Sequence, residues 1–150
     1  MALILSSPAF TDGGNLPARY TCQGEDISPA LAWKGAPGAT RSFAVILEDP
    51  DAPGGLFSHW ILFNLPGSSA SVAEGASPPA GAGEGKNDFG RAGYGGPCPP
   101  PGKAHHYVFR LYALSDRLTL KPGASRAQAE SARKGLVLEE ARLTALFQRS

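Results

Sequence analysis

The chain has 150 residues, with 14 Lys and Arg against 13 Asp and Glu and a formal net charge of +1 at neutral pH. A near-neutral chain without a basic stripe cannot neutralise a run of phosphates, which argues against a nucleic-acid binder. No segment approaches the roughly 20 consecutive apolar residues of a membrane-spanning helix. The 19 glycines and 14 prolines fit one domain, residues 1–150, with many turns, mostly β rather than a helix bundle.

The opening MALILSSPAF has only four apolar residues in a row and no basic residue before them. It reads as a first strand, not a signal peptide, so a cytoplasmic location is expected. Ala2–Leu5 and Ala9–Phe10 read as short edge strands, and DGGN at Asp12–Asn15 as a turn. Leu16–Cys22 is expected to be extended. Ile27–Trp33 reads as a strand with Pro29 near its start. Phe43–Leu47 and Trp60–Leu65 are apolar on both faces, the pattern of central strands covered on both sides. Pro66–Gly102 is the longest irregular stretch. Its first part, Ser68–Gly85, reads as a mobile excursion. Its second, Asn87–Gly102, carries Phe89, Tyr94 and four prolines and is expected to be ordered. His105–Leu114 reads as a third central strand, with His105, Tyr107, Phe109 and Leu111 on one face. Ser125 with Gln128 three residues on is a capping-box signal for a helix up to Gly135. Leu136–Leu143 reads as one or two more helical turns, and Thr144–Gln148 as a last short strand. Cys22 and Cys98 are too few for a disulfide framework or a zinc site; two free thiols are the favoured expectation and a single disulfide the lesser alternative.

All three histidines, His59, His105 and His106, fall at the starts of two predicted central strands, and Asp49 ends a third. The two-residue period sends His105 and His106 to opposite faces, so only one can join His59. His105 is the better candidate, because Tyr107 shares its face and adds a phenolic donor. Satisfied core histidines are the bland alternative. A metal site is possible by ligand type but lacks close ligand spacing, and no metal or cofactor is expected. A hydrolase could use Asp49 and His59 as an acid–base pair, yet no GxSxG elbow accompanies them. Cys98 as a nucleophile has no neighbouring cation in sequence. GAGEGKN at Gly81–Asn87 departs from a phosphate loop at both ends and is read as a linker. Anion binding fits best: imidazole and phenol donors beside the backbone of Gly95, Gly96 and Cys98, with the carboxylate orienting an imidazole.

Three stretches together resemble the phosphatidylethanolamine-binding protein family, in its bacterial and archaeal Raf-kinase-inhibitor-like branch. They are Asp49-Pro50-Asp51-Ala52-Pro53 with His59-Trp60, then Tyr94, Gly96, Pro97 and Pro99-Pro100 with His105-x-Tyr107, and Gly24–Trp33. The resemblance implies a sandwich of two antiparallel sheets with a few peripheral helices. It also implies a small pocket for phosphate, acetate or a phosphorylated head group. Carried over by motif, Asp49, His59, His105 and Tyr107 line that pocket, Gly96 and Pro97 lie in the adjoining loop, and Pro53 and Phe57 form the rim. Protein partners such as kinases or proteases are known among eukaryotic members, and small prokaryotic members resemble homodimers. The resemblance establishes no enzyme activity. Four departures stand out. Glu48 replaces a usual Asp and is expected to add a longer carboxylate beside the pocket. His106 replaces a usual Arg, Leu136 a frequent His, and Ala145-x-Phe147 the usual Gly-x-Tyr.

Overall fold

The computed structural model describes residues 2–150. Eight strands build two antiparallel sheets. Strands β1 (Ile4–Ser6), β2 (Leu31–Lys34) and β5 (Ser71–Val72) form the smaller sheet. The larger has the order β6-β4-β3-β7-β8, from β3 (Ser42–Asp49), β4 (Phe57–Pro66), β6 (Gly83–Glu84), β7 (His105–Leu114) and β8 (Val137–Phe147). This is the expected sandwich.

The larger sheet is apolar on both faces because it has two partners. Its inner face (Phe43, Val45, Leu47, Trp60, Leu62, Tyr107, Phe109 and Leu111) packs against Leu5, Leu31 and Trp33 of the smaller sheet. The Trp33 and Phe43 rings meet at 5.2 Å. Its outer face (Ala44, Ile46, Ile61, Phe63, Tyr112 and Leu114) packs against Leu118 and Ala129. Ala129 lies on α1 (Arg126–Arg133), which starts on the expected capping box: Ser125 accepts from the Gln128 N–H, and the Gln128 side chain accepts from the Ser125 N–H.

Several expectations are corrected. Leu136–Leu143 is not helical. Val137–Phe147 is one strand paired with β7 from Leu114 opposite Val137 to His105 opposite Phe147. Its Glu, Ala, Arg and Leu favour helix locally, but the alternation of Ala141, Leu143, Ala145 and Phe147 into the core prevails. Leu16–Cys22 is not extended but contains a 3-10 turn, Ala18–Tyr20. Ala9–Phe10 forms no strand, and β2 begins only at Leu31. Ser68–Gly85 supplies β5 and β6, each paired to a sheet.

The two cysteines are not free thiols. Cys22 and Cys98 form a disulfide with their Cα atoms 5.4 Å apart. The segments are drawn together by the Cys22 N–H donating to the Pro97 carbonyl at 3.1 Å and the Tyr94 hydroxyl donating to the Tyr20 carbonyl at 2.6 Å. Only glycine fits at position 96, because a Cβ there would collide with Asp26 Oδ1 and the Tyr20 carbonyl. Among the described residues, no helix is long and apolar enough to cross a membrane.

Candidate functional site

The two-residue period of β3 and β7 brings Asp49, His105 and Tyr107 to the inner face, in line with Leu47 and Phe109. His59 arrives there differently. Leu47 pairs with Trp60 and Glu48 with Ser58, so His59 is the extra residue of a β-bulge in β4. Trp60 already faces the inner core. In a regular strand His59 would face away from it; the bulge re-aims the ring. Its plane meets Tyr107 edge-on with centroids 5.4 Å apart, and His105 stacks with Tyr107 at 6.3 Å.

These four side chains line one cavity of about 150 Å³ at the end of the inner core. Ala52, Pro53, Phe57, Phe89, Cys98, Pro99 and Pro100 complete its wall. The polar groups are therefore set in a mostly apolar slot. Asp49 acts inside the protein: Oδ1 accepts from the Asp51 N–H at 2.8 Å and Oδ2 from His105 Nδ1 at 2.7 Å. The carboxylate thereby fixes the imidazole orientation. His59 Nδ1 donates to the Gly95 carbonyl at 2.7 Å, and the Gly95 N–H returns a bond to the His59 carbonyl at 2.9 Å. Burial pulls the His59 pKa below its ordinary 6.5, with the Gly95 carbonyl and the Asp49 charge opposing only in part. The Tyr107 hydroxyl is fully buried and has no hydrogen-bond partner in the protein. Burial, and then the Asp49 charge, push its pKa far above 10, so it is a permanent donor.

Gly96 and Pro97 do not line the cavity. The Gly96 N–H donates to Asp26 Oδ1 at 2.7 Å and the Gly95 N–H is taken by His59, so neither is a free cradle for an anion. These residues anchor the wall from behind. Glu48 also lies outside: it faces the outer side of the sheet, where its Oε1 accepts from Arg110 Nε at 2.6 Å. His106 sits outside as well. Its backbone N–H and Nδ1 meet Asp51 Oδ2 at 2.8 and 2.7 Å, which ties the turn carrying Ala52 and Pro53 to β7. The hydrogen bond from the His106 backbone, then that from its side chain, hold the Asp51 pKa below its ordinary value. Phe147 and Ala145 pair with His105 and Tyr107 in the neighbouring strand and do not line the cavity.

Phe89, with Ala52, Pro99 and Pro100, lines the cavity although pattern reading assigned none of them to the site. Asn87 holds its loop: Oδ1 accepts from the Phe89 and Arg91 N–H groups at 3.0 and 3.2 Å, and Nδ2 donates to the Gly93 carbonyl at 3.0 Å. Phe89 then meets Phe57 at 4.8 Å and His59 at 5.4 Å. The Asn87-Asp88 pair ahead of an isolated aromatic in a glycine-rich loop was the available signal.

Comparison with known proteins agrees with this architecture. The family model described as phosphatidylethanolamine-binding protein matches residues 6–148. A UPF0098 protein of Methanothermobacter thermautotrophicus is 48% identical over 149 residues, 97% of this chain and 98% of the relative. The structure of CT736 from Chlamydia trachomatis superposes with a TM-score of 0.94 at 37% identity, covering 99% of both chains. That of YbcL from E. coli superposes equally, with a TM-score of 0.94 at 33% identity over 100% of both chains. The fold, the length matched and the degree of identity agree: the chain belongs to the phosphatidylethanolamine-binding protein family.

Proposed function

We propose that this chain is a binding protein for a small anion (phosphate, acetate or a phosphorylated head group) seated between His59, His105 and Tyr107, with Asp49 as the organiser. The observation that carries this reading is the Tyr107 hydroxyl, buried without a well-aligned protein partner on a ring that contacts two imidazoles whose Nδ1 atoms are both engaged. A buried donor left unpaired costs about 1–3 kcal/mol, and a ligand oxygen relieves it. The cavity of about 150 Å³ has room for a small anionic head group rather than a lipid tail. Turnover through Cys98 is disfavoured, because its sulfur is bonded to Cys22. Calorimetric titration with inorganic phosphate, acetate and phosphorylethanolamine tests the reading. Affinity should fall at least about tenfold in His59→Ala and His105→Ala. Unchanged affinity in both would overturn it.

The rim supports a second reading. Leu56 and Phe89 are each 43% exposed beside the mouth, an apolar surface suited to a protein partner, a second copy of the chain included. Light scattering of the wild type and of Leu56→Ser/Phe89→Ser tests the dimer. The disulfide favours an oxidising compartment over the cytoplasmic location expected from the N-terminal residues. Alkylation trapping of thiols in intact cells tests that point.

A further inference from the structure

The two imidazoles of the cavity both engage Nδ1 within the protein, and for His59 the tautomer is unambiguous. A carbonyl oxygen only accepts, so Nδ1 carries the proton and Nε2 of the neutral ring is a lone pair. Around this ring stand Phe57 of its own strand, Phe89 of the loop and Tyr107 across the sheet. The charges that face it are the carboxylates of Asp49 and Asp88, joined by the Gly95 and Gly96 carbonyls. His105 lines the same cavity, with its Nδ1 2.7 Å from Asp49 Oδ2. Burial outweighs these negative groups and favours neutral His59 near pH 7. No lysine or arginine lines the cavity among the described residues. A ligand therefore meets the Tyr107 hydroxyl as a donor and His59 Nε2 as an acceptor, beside the His105 ring that Asp49 holds. A fully ionised anion satisfies Tyr107 but turns a lone pair toward that of His59.

We infer that the site takes its anion together with a proton, shared between a ligand oxygen and His59 Nε2, and so selects phosphomonoesters over phosphodiesters. The inference rests on the reading of this cavity as an anion site. A phosphomonoester ionises a second time near pH 6, so its monoanion offers a P–OH to His59 and a P–O⁻ to Tyr107. A phosphodiester keeps no proton in this range. Its complex requires protonation of His59 itself, which burial opposes.

Ethyl phosphate and dimethyl phosphate are isomers and separate the cases with the same atoms. At about pH 7.5, calorimetry in buffers of different ionisation enthalpy should show ethyl phosphate binding about tenfold tighter or more, with close to one proton taken up. Near about pH 5 the uptake should fall toward zero, because the ligand then brings its own proton. In His59→Asn the amide can still donate to Gly95 but Nε2 is gone. The isomers should then bind within about threefold of each other, without proton uptake. Equal wild-type affinities, or binding of ethyl phosphate at about pH 7.5 without uptake, would overturn the inference and leave the anion site standing. Discrimination that survives in His59→Asn would overturn the assignment to His59. Should that variant fail to fold, the wild-type proton count decides. Binding of neither isomer, nor of acetate, would remove the anion site and the inference together.

Discussion

Replacing Tyr107 by Phe removes one buried oxygen from the wall of the cavity and leaves the ring in place. The residue is 0% exposed, and its hydroxyl has no partner in the protein. The Asp49 carboxylate raises the phenol pKa both by its charge and by lying within reach of the hydroxyl, but the contact falls short of a well-aligned hydrogen bond. An unpaired buried hydroxyl costs about 1–3 kcal/mol, and losing its packing contacts returns a few tenths. The ligand-free variant should therefore be more stable by about 1 kcal/mol, raising the melting temperature by about 2–4 °C for a chain of this size. Anion binding should move the other way. A hydrogen bond to a charged group contributes about 1.5–3 kcal/mol, so affinity should fall by roughly 10- to 150-fold. Differential scanning calorimetry without ligand and isothermal titration with inorganic phosphate measure the two halves. A variant that melts below wild type would show that the hydroxyl is satisfied in the free protein. A variant that melts higher but binds phosphate as before would show that the donor never meets the ligand. Either result refutes the reasoning.

Three further outcomes follow from the same geometry. Native His59 has a lowered pKa, so between that value and the ordinary 6.5 the unfolded chain binds more protons; ligand-free stability should fall as pH drops through this window. Urea titrations at several pH values should show a shallower acid loss in His59→Asn, and an identical loss would refute the linkage. Joint Cys22→Ala and Cys98→Ala substitution opens a loop of sequence separation 76 and should remove about 4.5 kcal/mol by the loop-entropy relation. Chemical denaturation checks this, and a loss under about 1 kcal/mol would contradict that account. Gly96→Ala drives a Cβ into Asp26 and the Tyr20 carbonyl and should cost about 2 kcal/mol or more, read as a lower melting temperature with weaker phosphate binding.

The three long strands at the heart of the sheet were legible because residues such as Phe43–Leu47 are apolar on consecutive positions, and only a doubly covered strand tolerates that. Period two also carried Asp49, His105 and Tyr107 to a common face. It could not carry His59. The bulge opposite Glu48 is a one-residue slip, and no local residue type in Ser58-His59-Trp60 announces it. Its place at the start of the strand after Asp49 put His59 at the right end of the sheet, and the motif resemblance agreed, but neither indicated the bulge that turns the ring inward. The loop Gly95–Pro97 was misjudged for a different reason: glycine signals close approach but not of what, and here the approaching group is Asp26 rather than a ligand. β8 was obscured by helix-forming residues whose alternation from Ala141 to Phe147 is visible only when the misleading Leu138-Glu139-Glu140-Ala141 run is set aside. The disulfide stayed the lesser alternative in the sequence because two cysteines at long separation carry no pairing information until the chain is folded.

Strand β3 supplies side chains to both apolar clusters, Val45 and Leu47 to one and Ala44 and Ile46 to the other. A backbone clamped from two sides cannot loosen toward one without disturbing its partner. The helix side and the small-sheet side are thus obliged to melt as a single cooperative unit. The slowest amide protons to exchange with solvent should accordingly be those of Ala44 to Leu47, released only by global opening.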